Sequence, residues 1–384
     1  MPPIGRWTLR AKGPHSARSS HSIVATPRGQ VVVYGGEFKP RTPVDSAVSQ
    51  ERGEVTRGSV HVVDLGLRSA ALIGDRLKTW TTLSPSRGTN ASSKDLEFPV
   101  ARVGPSMVVK DDALYIWGGR GGVDMAPLDP GQAGVWRGEL TAGQGHVAWD
   151  HISAEGGPEP RSYHTTAIIN GKMYIHAGCP TTGRLSDLHS FDIASQQWQT
   201  LAPAPEPPRG GTSLVPTTVQ PFGPVLIRYG GFSGYELPKE AGIVDVYVVQ
   251  DDKWLTVTPT ADSEHGVPGA RSVHGFQPFK SSSPSLSSAL AVLFYGERDA
   301  SSLGHAGAGT FWNDVWLLSK TNSSSYADGW QWTKVITDSS SAPEGRGWFA
   351  SAEWLEDGAS RIVMHGGLLS SNERSDELWE LQIE

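Results

Sequence analysis

Short apolar runs broken by glycine, proline or serine recur along the whole chain, and no window carries the long period and caps of a helix. The runs follow one repeated order. An arginine precedes a small or histidine-containing strand, an apolar strand ends in two glycines, a third strand carries an aspartate, and a tryptophan follows. The first copy reads Arg18-Ser-Ser-His21, Val31-Val-Val-Tyr-Gly-Gly36, Val60-His-Val-Val-Asp64, Trp80. The second takes Arg102, Leu114-Tyr-Ile-Trp-Gly-Gly-Arg120, Val135 to Leu140 and Trp149; the third takes Arg161-Ser-Tyr-His164, Met173-Tyr-Ile-His-Ala-Gly178, Asp187 to Asp192 and Trp198. The fourth uses Arg209-Gly-Gly211, Ile227-Arg-Tyr-Gly-Gly231, Asp245 to Val249 and Trp254. Arg271-Ser-Val-His274, the apolar run ending at Tyr295-Gly296, Asp314-Val-Trp-Leu-Leu318 and Trp332 make the fifth.

The sixth copy passes from Arg346-Gly-Trp348 through Ile362-Val-Met-His-Gly-Gly367 and Asp376 to Leu381, and lacks a last tryptophan strand. Arg6-Trp7-Thr-Leu-Arg10 can supply it. This pattern resembles the kelch repeat. It predicts an all-β fold in which residues 1–384 form one domain, a six-bladed kelch-type β-propeller closed by an N-terminal strand completing the last blade. Insertions at 39–57, 121–134, 232–242 and 298–311 each follow the glycine turn of their blade, so they should rise together on one face as the wall of a pocket.

Composition agrees with a closed β architecture: 45 glycines and 27 prolines supply turns, and 14 tryptophans supply apolar anchors. The net charge of −7, without a lysine or arginine run, argues against nucleic acid as a partner. No segment has the length of a membrane span or the apolar core of a signal peptide, so the expectation is a soluble, cytoplasmic protein. Cys179 is the one cysteine, which excludes an internal disulfide and a thiolate cluster for zinc. A copper centre with a crosslinked cysteine is excluded as well, since Cys179-Pro180 has no suitable surroundings.

The stretch from Gly296 to Gly309 is the densest candidate chemistry. A buried strand delivers Glu297, Asp299 and His305 into a glycine-rich loop, and oxygen with imidazole donors suits iron(II), manganese or zinc. The same composition also suits a solvated surface loop. His21, His164 and His274 recur at one place in their repeats and read as hydrogen-bonded scaffold, while Asp314 and Asp376 open third strands and read as turn formers.

Several motifs are narrower than the kelch repeat. Gly35-Gly-Glu37, Gly118-Gly-Arg120, Gly296-Glu297 with Gly304-His305, Arg346-Gly-Trp348 and Met364-His-Gly-Gly367 with Asn372-Glu-Arg-Ser-Asp376 occur in this order. Together they resemble the specifier proteins of glucosinolate breakdown, the nitrile-specifier, epithiospecifier and thiocyanate-forming family. The resemblance implies a lyase that converts sulfated glucosinolate aglycones to nitriles or related products, with Fe(II) as cofactor and a myrosinase-type glucosidase as upstream partner. It places the metal at Glu297 and His305, with Ser301 at the family's aspartate position and Asp299 two residues before it. It makes Arg120 and Arg184 the catalytic clamp on a sulfated small-molecule substrate, and Glu37, Trp348 and either Lys39 or Arg41 substrate-binding residues. A kelch binding scaffold without metal chemistry, or a metal-dependent enzyme on another small substrate, are the alternative readings.

Overall fold

The protein is seen in a computed structural model that describes residues 2–13, 17–44, 56–66, 77–89, 98–140, 145–153, 156–240, 242–321, 323 and 325–384, with the side chains of Ser153 and His305 outside that set. Six antiparallel four-stranded blades account for the described chain. From the axis outward, blade one is Ser22–Ala25, Gln30–Tyr34, Val60–Asp64 and Thr81–Arg87, and blade two is Ser106–Lys110, Ala113–Trp117, Val135–Leu140 and His146–Ser153. Blade three is Thr165–Ile169, Lys172–His176, Leu188–Asp192 and Gln197–Leu201, and blade four is Ser213–Val219, Gly223–Tyr229, Val244–Val248 and Lys253–Val257. Blade five is Gly275–Pro278, Ala289–Phe294, Val315–Lys320 and Trp330–Thr337. Blade six takes Ala350–Glu356, Ala359–His365 and Glu377–Ile383 from the C-terminal end and Ile4–Lys12 from the N-terminal end.

The closure expected from the missing tryptophan strand is therefore present. Trp7 faces Leu381 across the ladder and packs edge-on against Phe294 and Tyr295 of blade five. Each blade packs on the next through its own apolar cluster; Tyr229 and Trp332, for example, meet between blades four and five. Among the described residues no helix is long and apolar enough to cross a membrane.

Two rings of hydrogen bonds explain why the repeat keeps an arginine and a double glycine. In every blade that arginine donates to the carbonyl of the first turn residue: Arg18 to Gly35, Arg102 to Gly118, Arg161 to Ala177, Arg209 to Gly230, Arg271 to Tyr295 and Arg346 to Gly366. The amide of the second glycine then donates to the backbone carbonyl of the next blade's arginine, from Gly36 to Arg102 around to Gly367 and Arg18. The second position has φ between 95° and 104° in all six blades, a conformation that in practice requires glycine. The first lies near the left-handed region, which Ala177 and Tyr295 also occupy. The second ring lies on the residue two after each arginine. Ser20, Gly104, Tyr163, Gly211, Val273 and Trp348 all have positive φ, and each amide donates to the carbonyl of the preceding member, so that Ser20 closes back on Trp348.

The acids of the third strands also find their place here. Asp314 is not a turn former: it takes both ends of the Arg271 guanidinium, at 2.7 and 3.1 Å. Arg161 has the same arrangement with Asp187, while in blade six Arg346 pairs with Glu377, the residue after Asp376. Two of the three repeat histidines are hydrogen-bonded scaffold, with His164 Nε2 2.6 Å from the Ser106 hydroxyl and His21 Nε2 2.9 Å from His365 Nδ1, while His274 is buried with neither ring nitrogen hydrogen-bonded among the described residues.

Candidate functional site

Above the second ring lies a cavity of ≈ 260 Å³, and two repeat positions furnish most of its floor. The residue after each second glycine supplies Glu37, Arg120, Phe232, Glu297 and Leu368. In blade three this position is the buried Cys179, whose carbonyl lies 3.5 Å from Arg120 Nη2. The second ring adds Ser20, Tyr163 and Trp348. Rim loops bring in Arg41, Met125, Arg184, Tyr235, Glu236, Ser301 and Arg374.

Arginines and aromatic rings form a continuous bar across this floor. Arg120 lies 5.5 Å from the Tyr163 centroid, Tyr163 meets Trp348 at 5.2 Å, Trp348 meets Phe232 at 6.1 Å, and Arg184 lies 4.8 Å from Phe232. Arg120 Nε donates to the Ser162 hydroxyl at 2.6 Å, and Arg184 donates to the carbonyl of Gly183 at 2.7 Å. Among the described residues no carboxylate lies within ion-pair distance of either guanidinium, so both offer charge to the cavity.

Three carboxylates face the same space. Glu37 accepts from the Arg41 amide at 2.9 Å and lies 3.8 Å from Arg374; burial raises its pKa, against the pull of these partners. Glu236 accepts from the Ser272 hydroxyl at 2.8 Å, and burial pushes it upward as well. Glu297 is 5% exposed, and burial, reinforced by Glu236, pushes it up to about 8, with a Trp348 hydrogen bond opposing.

Seven residues singled out from the sequence thus meet at one cavity: Glu37, Arg41, Arg120, Arg184, Glu297, Ser301 and Trp348. Lys39 is exposed and is not among the lining residues, so of the two candidate cations on that loop the cavity receives Arg41. Asp299 also turns away: its side chain is 65% exposed, bound by Arg298 Nε at 2.8 Å and by the Thr310 hydroxyl at 2.6 Å. His305 sits in the turn Gly304–Ala306 and its side chain lies outside the described residues. No three of His, Cys, Asp or Glu converge on one point among the described residues. Glu297, with Glu236 beside it, does offer the hard oxygen donors that suit a divalent cation.

Sequence reasoning missed Tyr163, Phe232, Glu236 and Arg374. Phe232 occupies the same repeat position as Glu37, Arg120 and Glu297, and Tyr163 the same position as Trp348. Aligning the repeats by position would have found both. Arg374 lay inside the Asn372 to Asp376 motif without a role, while Glu236 carried no signal beyond its loop.

This fold and its residue tiers define a kelch-repeat protein. The KLHDC2/KLHL20/DRC7 Kelch-repeats domain matches residues 78–282, more than half of the chain, and the chain belongs to that family. The solved structure of YjhT shares the fold at a TM-score of 0.60 and 14% identity, over 98% of this chain and 100% of that one. More particularly, the chain is similar to N-(sulfonatooxy)prop-2-enimidothioate sulfolyase of Thlaspi arvense, 23% identical across 98% of this chain and 96% of the relative. The resemblance to kelch-repeat specifier proteins thus extends over the whole chain. Kelch domain-containing protein 3 of Bos taurus is 24% identical over 66% of this chain and 60% of its own length.

Proposed function

We propose that this cavity binds a sulfated thiohydroximate, an unstable glucosinolate aglycone, and promotes its breakdown to a nitrile. The observation that carries this reading is the pair of cavity-facing arginines, Arg120 and Arg184, without carboxylate partners within ion-pair distance among the described residues. A protein gains little from leaving guanidinium groups unpaired against an aromatic floor unless an anion completes them. Similarity to a sulfolyase named for N-(sulfonatooxy)prop-2-enimidothioate, a sulfated thioimidate, supports the same chemistry.

In this account Arg120 and Arg184 hold the sulfate and neutralise the charge that gathers on it as the N–O bond breaks. Tyr163 and Trp348 shield the organic part from water and keep the leaving group in place. The electron pair of the N–O bond leaves with sulfate. The C–S pair becomes the third C–N bond, sulfur departs as the neutral element, and no proton has to move. Iron(II) fits the oxygen donors at Glu297 and the neighbouring Glu236; these would hold it, and when bound it would supply Lewis-acid attraction for the thiohydroximate sulfur.

The test is the product distribution from allyl glucosinolate and a myrosinase, with added iron(II), in the presence and absence of the protein. Nitrile formed at the expense of isothiocyanate is expected. Isothiocyanate alone, as in buffer, would rule this substrate class out.

A further inference from the structure

Arg184 is an exposed arginine on a rim loop, and its one described hydrogen bond is to the neighbouring Gly183 carbonyl. That bond does not aim a guanidinium. The Phe232 ring face, 4.8 Å away, does so by offering the charge a π-surface on one side of the cavity. Phe232 is itself fixed. Its backbone exchanges two hydrogen bonds with Gly210, at 2.8 and 3.1 Å. Its ring lies where side chains at the two glycines of Arg209-Gly-Gly211 would be: a Cβ on Gly211 would come within 2.7 Å of Phe232 Cε1, and one on Gly210 within 3.1 Å of Cζ. Gly210 stands where the other blades carry Ser19, Val103, Ser162, Ser272 and Gly347, so this glycine pair makes room for the ring.

We infer that Phe232, seated on Gly210 and Gly211, is a positioning residue that holds Arg184 over the cavity and so sets the site's affinity for a sulfate ester. The inference rests on the sulfated-substrate reading but asks a separate question. It is tested with p-nitrophenyl sulfate by isothermal titration calorimetry, on wild type, Phe232→Leu, Phe232→Met, Phe232→Tyr, Arg184→Leu and the Phe232→Leu/Arg184→Leu double variant. Thermal melting establishes that each variant is folded. Losing the ring should weaken binding about three- to tenfold in both the Leu and Met variants, the scale of a partly desolvated cation–π contact. Phe232→Tyr should bind like wild type, and the double variant should be no weaker than Arg184→Leu.

Unchanged affinity in Phe232→Leu, alongside a loss in Arg184→Leu, would overturn the positioning role and leave the sulfate reading standing. Additive losses in the double variant would overturn it too, because the ring would then touch the ligand itself. No binding by wild type would remove the sulfate reading and this inference together.

Discussion

Arg271 and Arg184 are the same residue type placed two blades apart, yet the fold treats them in opposite ways. Arg271 is fully buried, with two nitrogens on Asp314 and a third contact to the Tyr295 carbonyl. Arg184 lies on the rim over an aromatic ring, with no acid beside it among the described residues. The difference teaches that an arginine's partners, more than its position in a motif, separate scaffold from site. Five more arginines share the tier of Arg271 and hold the turn carbonyls of their blades, and none of these five lines the cavity. Arg41, Arg120, Arg184 and Arg374 line it, and of these Arg374 has an acid, Glu37, within 4 Å.

The largest effect is expected when the scaffold arginine loses its acid. Asp314→Ala leaves a buried guanidinium charge without compensation, which should cost about 3–5 kcal/mol and lower the melting temperature severely. Burial alone would raise the Asp314 carboxyl, but Arg271 overrides this and holds it below its ordinary value. A depressed carboxyl contributes stability above its unfolded pKa and loses it as pH falls through the folded value. Wild type should therefore weaken progressively below about pH 4, and the Asp314→Ala variant should show less of that acid dependence.

A smaller effect sharpens the comparison from the other side. Arg18 belongs to the scaffold tier, but among the described residues it has no acid within ion-pair distance, and its Nε and Nη2 are buried without a hydrogen-bond partner. Ser59 precedes the third strand of blade one, where Asp187 and Asp314 precede theirs. Ser59→Asp should give Arg18 the partner that Arg161 and Arg271 have and raise stability by on the order of 1 kcal/mol, readable in a denaturant titration. A loss of stability instead would mean that Arg18 is not equivalent to Arg161 and Arg271.

Much of this was legible in the sequence, for a reason the two rings make physical. The second turn residue needs φ near 100°, and a conformation that admits only glycine leaves a mark in every copy. The arginine does likewise because one guanidinium has to reach one carbonyl per blade. The tryptophan missing from the sixth copy was legible because a four-stranded blade needs an outer strand, and Trp7 was the candidate to supply it. The direction of the fifth-blade loop was not legible. Sequence spacing put Asp299 beside Glu297 and His305, since residues two apart on a regular strand share a face, but the ladder slips between Glu297 and Asp299, and Asp299 found Arg298 and Thr310 outside the cavity. Asp314 was misread for a related cause: a strand-opening aspartate looks like a turn residue until the arginine opposite, far away in the chain, is placed against it.

On this reading Arg120 and Arg184, with no acid beside them among the described residues, serve a sulfated substrate, while the buried repeat arginines hold the blades. The most direct test is the nitrile fraction formed from allyl glucosinolate, myrosinase and iron(II) by Arg120→Leu/Arg184→Leu at matched folded concentration. The account predicts that this fraction falls to the buffer level while the melting temperature stays within a few degrees of wild type. A double variant that keeps the wild-type nitrile fraction would contradict it.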